Sequence, residues 1–237
     1  MQKTQKCTEL FIKNYQTLQR CLKIRPFYCG AKMTFPFSRP VVRVKETCIK
    51  GAFIQKRSFI QMLDAIYNGI DFDRLEKVGA DRTCAEWLMR CGARVRFKDH
   101  PDFIEEFNSL PLSSFDKYKI EEIDFTGSTA MDTGFQHLKN LRHVKKIVFN
   151  NGKYITSFCI AYLIEVKDTL EELEIMNCDQ IPAVGLQPLT QLQKLRKLVL
   201  FNLPLIKDEQ MKPLLDIIQE QLPRCHVEFL ENKHKLS

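Results

Sequence analysis

No C-x-x-C pair occurs anywhere in these 237 residues. The nine cysteines are odd in number, and three of them precede residue 30. Neither a zinc site nor a disulfide framework is therefore encoded, and the thiols read as reduced and structural. Cys159, Cys178 and Cys225 fall where an apolar periodicity calls for a small buried side chain. No G-x-S-x-G, Walker loop or dinucleotide fingerprint is present, and the five histidines (residues 100, 137, 143, 226 and 234) have no metal-ligand spacing. Enzyme classes built on those motifs are excluded. His137 and His143 are expected at the surface of a helical segment, and the carboxylates of KDHPDFIEEF on a solvated helix.

Long apolar runs are also missing, so no span reads as a membrane-crossing helix. Acid is scarce at the start: residues 1–50 carry 11 Lys and Arg against Glu9 and Glu46 alone. The remaining chain is close to neutral, with 25 basic and 27 acidic residues, which argues against a nucleic-acid platform. The net charge of +7 thus belongs to the leader. Phe11, Tyr15, Leu18 and Leu22 fall on one helical face there, with Lys13, Arg20 and Lys23 on another. A basic, acid-poor amphipathic N-terminus is the mitochondrial import pattern, and a solvated basic tail is the plain alternative. Pro26, Pro36 and Pro40 follow in an irregular stretch, so residues 1–50 form a leader and linker.

What the chain has in quantity is a repeat. Leu170, Leu173, Ile175 and Cys178 are spaced 3, 2 and 3 apart. Ile120, Ile123, Phe125 and Ser128 keep those offsets, as do Val144, Ile147, Phe149 and Gly152, then Leu195, Leu198, Leu200 and Leu203. A fifth, weaker copy offers Leu222, Cys225 and Val227. Copies begin at 120, 144, 170, 195 and 222, the period and pattern of a leucine-rich repeat, with Cys178 marking the cysteine-containing type. The expected fold is α/β: a short solenoid of parallel strands and helices over residues 118–230, followed by a polar tail, 231–237. One strand and one helix cannot bury their apolar sides alone, so the copies must stack. Phe135, Leu138 and Leu141, and Met211, Leu214, Leu215, Ile218 and Leu222, keep helical spacing in the return halves. Pro188 and Pro213 imply that these helices are short or kinked.

Strand residues of the opposite parity face outward. Their first column reads Glu122, Lys146, Glu172, Lys197, Arg224, and the second Asp124, Val148, Glu174, Val199, His226. Alternating signs in the first column can pair along the sheet. The same face, with Met176 and Phe201 at its C-terminal edge, is the candidate surface for a protein partner. The salt-bridge stripe and the partner surface stand as two readings of one face.

Residues 51–117 lack the repeat and read as a mainly helical cap. FIQMLDAIYNGI and DRTCAEWLMRCG are two candidate helices, the second with Asp81 as N-cap and Gly92 as C-terminal stop. ARVRF alternates and predicts a strand beside IEEIDF, covering the exposed first edge of the stack. Trp87, the single tryptophan, is expected in the core of this cap.

AEWLMRCGARVRF, LDAIYNGIDFDRLEKVGADR and LPLSSFDKYKIEEID, together with the repeats, resemble the mitochondrial ATP synthase subunit s (coupling factor B) family. The resemblance extends over roughly residues 59–230. It implies a non-catalytic, peripheral protein on the matrix side of the inner membrane that associates with ATP synthase subunits, supports coupled proton conduction and self-associates. It also implies a Mg2+ ion held by main-chain oxygens, at positions matched here by Gly92 and Thr126. Mammalian members carry two cysteines where this chain has Asn150, Asn151 and Gly152, so no dithiol role transfers. A related branch assists assembly of the complex I membrane arm, and DTLEELEIMNC suits either branch. A third reading, an F-box-type ubiquitin-ligase adaptor, shares cysteine-containing repeats but gives the basic leader no use.

Overall fold

Residues in which apolar and charged side chains alternate form six strands: β1 (Arg94–Phe97), β2 (Ile120–Asp124), β3 (Lys146–Asn150), β4 (Glu172–Met176), β5 (Lys197–Phe201) and β6 (His226–Leu230). They lie side by side in chain order in one sheet. β1 runs antiparallel to β2, and every later neighbour is parallel. The computed structural model describes residues 68–230. The basic leader, the candidate helix FIQMLDAIYNGI as far as residue 67 and the polar tail lie outside the described residues.

Before β1 comes α1 (Phe72–Arg90). Each parallel crossover returns through helical segments: a 3-10 stretch (Asp132–Leu138), α2 (Ser157–Tyr162) running into a 3-10 turn (Leu163–Val166), a 3-10 stretch (Ala183–Gln191), and α3 (Asp208–Gln221). The chain is thus a mixed α/β protein with a six-stranded, mostly parallel sheet. The returns are tighter than their apolar spacing suggested. Asp132–Leu138 and Ala183–Gln191, which holds Pro188, are 3-10 rather than α. α3, by contrast, runs for 14 residues with Pro213 inside it.

The core lies between the sheet and these returns. Ile123, Ile147, Leu173 and Leu198 share one inward row, and Phe149, Ile175 and Leu200 the next. All seven are 0% exposed. The fifth copy corrects the expected register: Val227 pairs with Leu198 and Phe229 with Leu200, two residues beyond the alignment of Cys225 and Val227. The cause is α3. An α-helix rises about 1.5 Å per residue against about 2.0 Å in a 3-10 segment, so it uses more residues over the same return.

Every strand from β2 to β5 is followed by a left-handed residue: Gly127, Asn151, Asn177 and Asn202, at φ of 66°, 53°, 51° and 47°. Gly and Asn tolerate that region best. Three of them donate their N–H sideways, Gly127 to Asn150 O (2.9 Å), Asn151 to Met176 O (3.1 Å) and Asn177 to Phe201 O (3.0 Å). The Asn177 amide donates to the Asn150 side-chain oxygen and the Asn202 amide to that of Asn177, both at 2.8 Å.

α1 bends at Gly79 (φ 82°, ψ 171°). Its first turn is capped by Asp71, whose side chain accepts the Arg74 N–H at 3.0 Å. Asp81 is not the expected N-cap. Its carboxylate reaches out of the helix to accept the Ile120 N–H (2.9 Å) and the Lys119 ammonium (3.3 Å). Gly92 does end the helix, at φ 73°. The Gly92 N–H bonds Met89 O (3.2 Å) and the Ala93 N–H bonds Leu88 O (2.9 Å), the paired closure of a Schellman turn.

Trp87 is 1% exposed and packs on Phe125, Phe135 and His137. His137 therefore corrects the surface expectation: it is 7% exposed, with its ring stacked 5.1 Å from that of Trp87. Helical spacing alone does not say which side of a short 3-10 turn meets α1. KDHPDFIEEF is not a helix either. Ile104 instead bridges Val95, exchanging hydrogen bonds of 2.7 and 3.1 Å along the outer edge of β1.

Candidate protein-contact face and cation position

Strand register gathers the predicted face residues. Glu122, Lys146, Glu172 and Lys197 form one column, which ends on His226 and not on Arg224. Asp124, Val148, Glu174 and Val199 form the second, which ends on Glu228 and not on His226. Both corrections follow from the longer return through α3. A third column reads Asn150, Met176, Phe201, Leu230.

Pairing on this face is direct between β1 and β2, where Arg94 and Arg96 stand opposite Asp124 and Glu122, and diagonal further along. Lys146 Nζ lies 2.7 Å from Glu174 Oε1 but 3.7 Å from Glu172 Oε2, its neighbour along the row. Arg96 bonds Glu122 (2.6 Å) and Glu121 (3.0 Å), and Lys145 also reaches Glu121 (2.7 Å). Arg94 bridges Asp124 and Glu105. Lys197 and His226 approach Glu228 at 3.7 and 3.4 Å. From β1 to β4 the charges thus satisfy one another, in support of the stripe reading. Such exposed pairs contribute about 0–1 kcal/mol each, so they shape the surface more than they stabilise it.

The protonation states follow. The hydrogen bond to Glu174 outweighs burial and raises the Lys146 ammonium above its ordinary value. Burial pushes the Asp124 carboxyl upward, but the Thr126 hydroxyl and N–H and the Arg94 guanidinium together hold it below the ordinary range. Thr126 donates to Asp124 through its N–H (2.8 Å) and its hydroxyl (2.6 Å).

Gly92 and Thr126 lie at the same end of this arrangement. Arg94 faces Asp124 at the last pair of the antiparallel ladder, and Gly92 and Thr126 each stand two residues beyond it. Thr129 ties the same rim to the helix end, its N–H reaching Cys91 O at 2.9 Å. Neither the Gly92 nor the Thr126 carbonyl accepts a backbone hydrogen bond among the described residues. Ser128, buried two residues after Thr126, has a hydroxyl without a partner in the described structure. Among the described residues, no three His, Cys, Asp or Glu side chains group to hold a metal. The Gly92 carbonyl lies just past the end of α1 and the Thr126 carbonyl just past β2; main-chain oxygens are ligands of the kind a hard, largely hydrated cation takes.

The repeat pattern hid three features of the face. The ladder of Asn150, Asn177 and Asn202 is one, because the asparagine that recurs at a constant offset is Asn151, Asn177 and Asn202, and the ladder takes Asn150 instead. Leu230 joins Met176 and Phe201 only once the true register of β6 is known. Glu121, which shares Arg96 and Lys145, gave no periodic signal.

The chain is a mixed α/β protein of repeated strand-and-return units with one exposed sheet face. Mitochondrial ATP synthase subunit s of Rattus norvegicus is 38% identical over 176 residues, 73% of this chain and 87% of the relative. The Homo sapiens protein of that name is 38% identical over 157 residues (65% and 78%), and that of Bos taurus 36% over 191 residues (79% and 88%). No family model matches the chain. The chain belongs to the mitochondrial ATP synthase subunit s family.

Proposed function

We propose that this protein is a non-catalytic mitochondrial factor that associates with ATP synthase through protein contacts and supports coupled proton conduction. The observation that carries the reading is the extent of the likeness, 87% of a relative named as an ATP synthase subunit. No helix among the described residues is long and apolar enough to cross a membrane, in keeping with a peripheral place on the matrix side of the inner membrane. The strand units, 24 to 26 residues apart from β2 to β5, support a short cysteine-containing leucine-rich-repeat solenoid with α1 and β1 as its N-terminal cap. The exposed face around Lys146, Glu174, Met176 and Phe201 is its contact surface, and self-association is part of the same reading.

In this reading Gly92 and Thr126 hold Mg2+ weakly through their carbonyls, with water completing its shell. The ion supplies positive charge that ties the end of α1 to the end of β2. Crystals soaked in manganese test this: an anomalous peak beside Gly92 is expected, and its absence removes the ion from the account. For the main reading, the full chain added to purified ATP synthase is expected to co-sediment with it. Failure to bind at low ionic strength contradicts the reading.

A further inference from the structure

We infer that the edge of β6 that no described strand covers is a docking strip for an extended polypeptide segment of the partner, which adds to the sheet as a seventh strand. The inference rests on the reading above that ATP synthase is the partner. The two edges of the sheet differ. Beyond β1, Ile104 exchanges two main-chain hydrogen bonds with Val95 and covers that side. Beyond β6 no strand follows among the described residues.

The His226 N–H donates to Arg196 O at 2.7 Å, which fixes the alternation. His226, Glu228 and Leu230 turn their main-chain groups toward β5, so Val227 and Phe229 turn theirs outward. The inward side chains are equally uncovered. The corresponding pairs Ile147 and Phe149, Leu173 and Ile175, and Leu198 and Leu200 are all 0% exposed, whereas Val227 and Phe229 are only partly buried. Each earlier strand is sealed by the unit after it; β6 has none in the described structure. A stack of repeats is expected to end in a polar cap, and Leu230, the last residue of β6, is 51% exposed.

The occupant is defined by chemistry. Two outward N–H groups and two outward carbonyls, open to water as they stand, match the spacing of a main chain laid beside them, which a helix or a lipid surface does not supply. Residues facing the core must be apolar, to cover Val227 and Phe229. At the N-terminal end of the edge Arg224 is exposed in the turn before β6 and has no ion pair among the described residues, whereas Lys197 and His226 already approach Glu228. The segment therefore carries a carboxylate at that end, to meet Arg224. A second copy of the chain fits less well. The twofold pairing of β6 that engages both Val227 and Phe229 is centred on Glu228 and sets two like charges opposite each other.

The test is amide hydrogen exchange on the full chain, alone and with purified ATP synthase, together with binding of Val227→Pro. Proline there removes an outward N–H and leaves the β5 ladder intact. Slowed exchange at Val227 and Phe229 in the complex, with binding of a folded Val227→Pro weakened about tenfold or more, is the expected result. If wild type binds and neither amide slows, the edge is not the docking strip, whether or not the variant folds, and the proposed function stands. If Val227→Pro folds and binds like wild type, the strip is likewise ruled out. If wild type fails to bind, the functional reading falls, and this inference with it. Slowing that appears without ATP synthase, with a doubling of mass, assigns the edge to self-pairing and overturns the proposal.

Discussion

The Asp81 carboxylate in α1 accepts the buried Ile120 N–H at the start of β2, at 2.9 Å. Thirty-nine residues of chain separate the two groups. The helix thereby supplies the hydrogen bond that an edge strand at this position would otherwise give. Asp81→Ala leaves that N–H buried and unpaired. It is expected to lower stability by about 1–3 kcal/mol, with Asp81→Asn milder because an acceptor remains. Chemical denaturation measures both, and equal midpoints for the two variants contradict this role.

Gly134 lies against the Trp87 ring, and a Cβ there would come within 2.5 Å of three ring atoms. The ring is hemmed in by Phe125, Phe135 and His137 and has little room to withdraw. Gly134→Ala is therefore predicted to destabilise by about 1–3 kcal/mol. Because Trp87 is the single tryptophan, its fluorescence reports the change directly. An unshifted emission spectrum and an unchanged midpoint would show that the ring can move.

Burial, with Arg90 adding to it, lowers the His137 imidazole from 6.5 to about 4. Below its ordinary value the unfolded chain takes up a proton that the folded chain refuses. Stability is then full above about pH 6.5 and falls progressively toward about pH 4, by about 3 kcal/mol in all. The carboxyl of Glu86 is also lowered: burial raises it, but Arg74 and Arg82 more than offset that. Its contribution is full above its ordinary value and is lost as the pH falls below that value. His137→Phe, which keeps an aromatic ring against Trp87, is predicted to flatten the slope between about pH 6.5 and about pH 5. An unchanged slope would place the titration elsewhere.

Glu174→Lys reverses the partner of Lys146 on the exposed face, where the pair stands 2.7 Å apart. The fold should survive with a loss of about 1 kcal/mol or less. Association with ATP synthase should weaken, most visibly at low salt, if this face meets the partner. Intact association by a folded Glu174→Lys variant would remove the face from the contact surface.

Where a residue's fate depended on strand period alone, the sequence was readable. Ile123, Ile147, Leu173 and Leu198 align as their spacing required, and Val95 and Phe97 turn inward from β1 as the alternation of ARVRF implied. Gly92 stops α1 because a left-handed residue is needed there. Readings that depended on tertiary contact failed. Asp81 looked like a cap, but its acceptor oxygen answers a strand 39 positions away. His137 looked exposed because nothing local reveals that Trp87 stacks on it. Column ends at β6 were misplaced because helix pitch, not the apolar count, sets the length of the last return. The face residues from β2 to β5 were correctly grouped, yet the diagonal choice of Glu174 over Glu172 by Lys146 follows from side-chain reach, which a column of letters does not encode.

The most direct measurement is complexome profiling of native mitochondria from the source organism, following this chain by mass spectrometry. The account predicts co-migration with ATP synthase. Migration with complex I assembly intermediates, with none of the chain at ATP synthase, would contradict it.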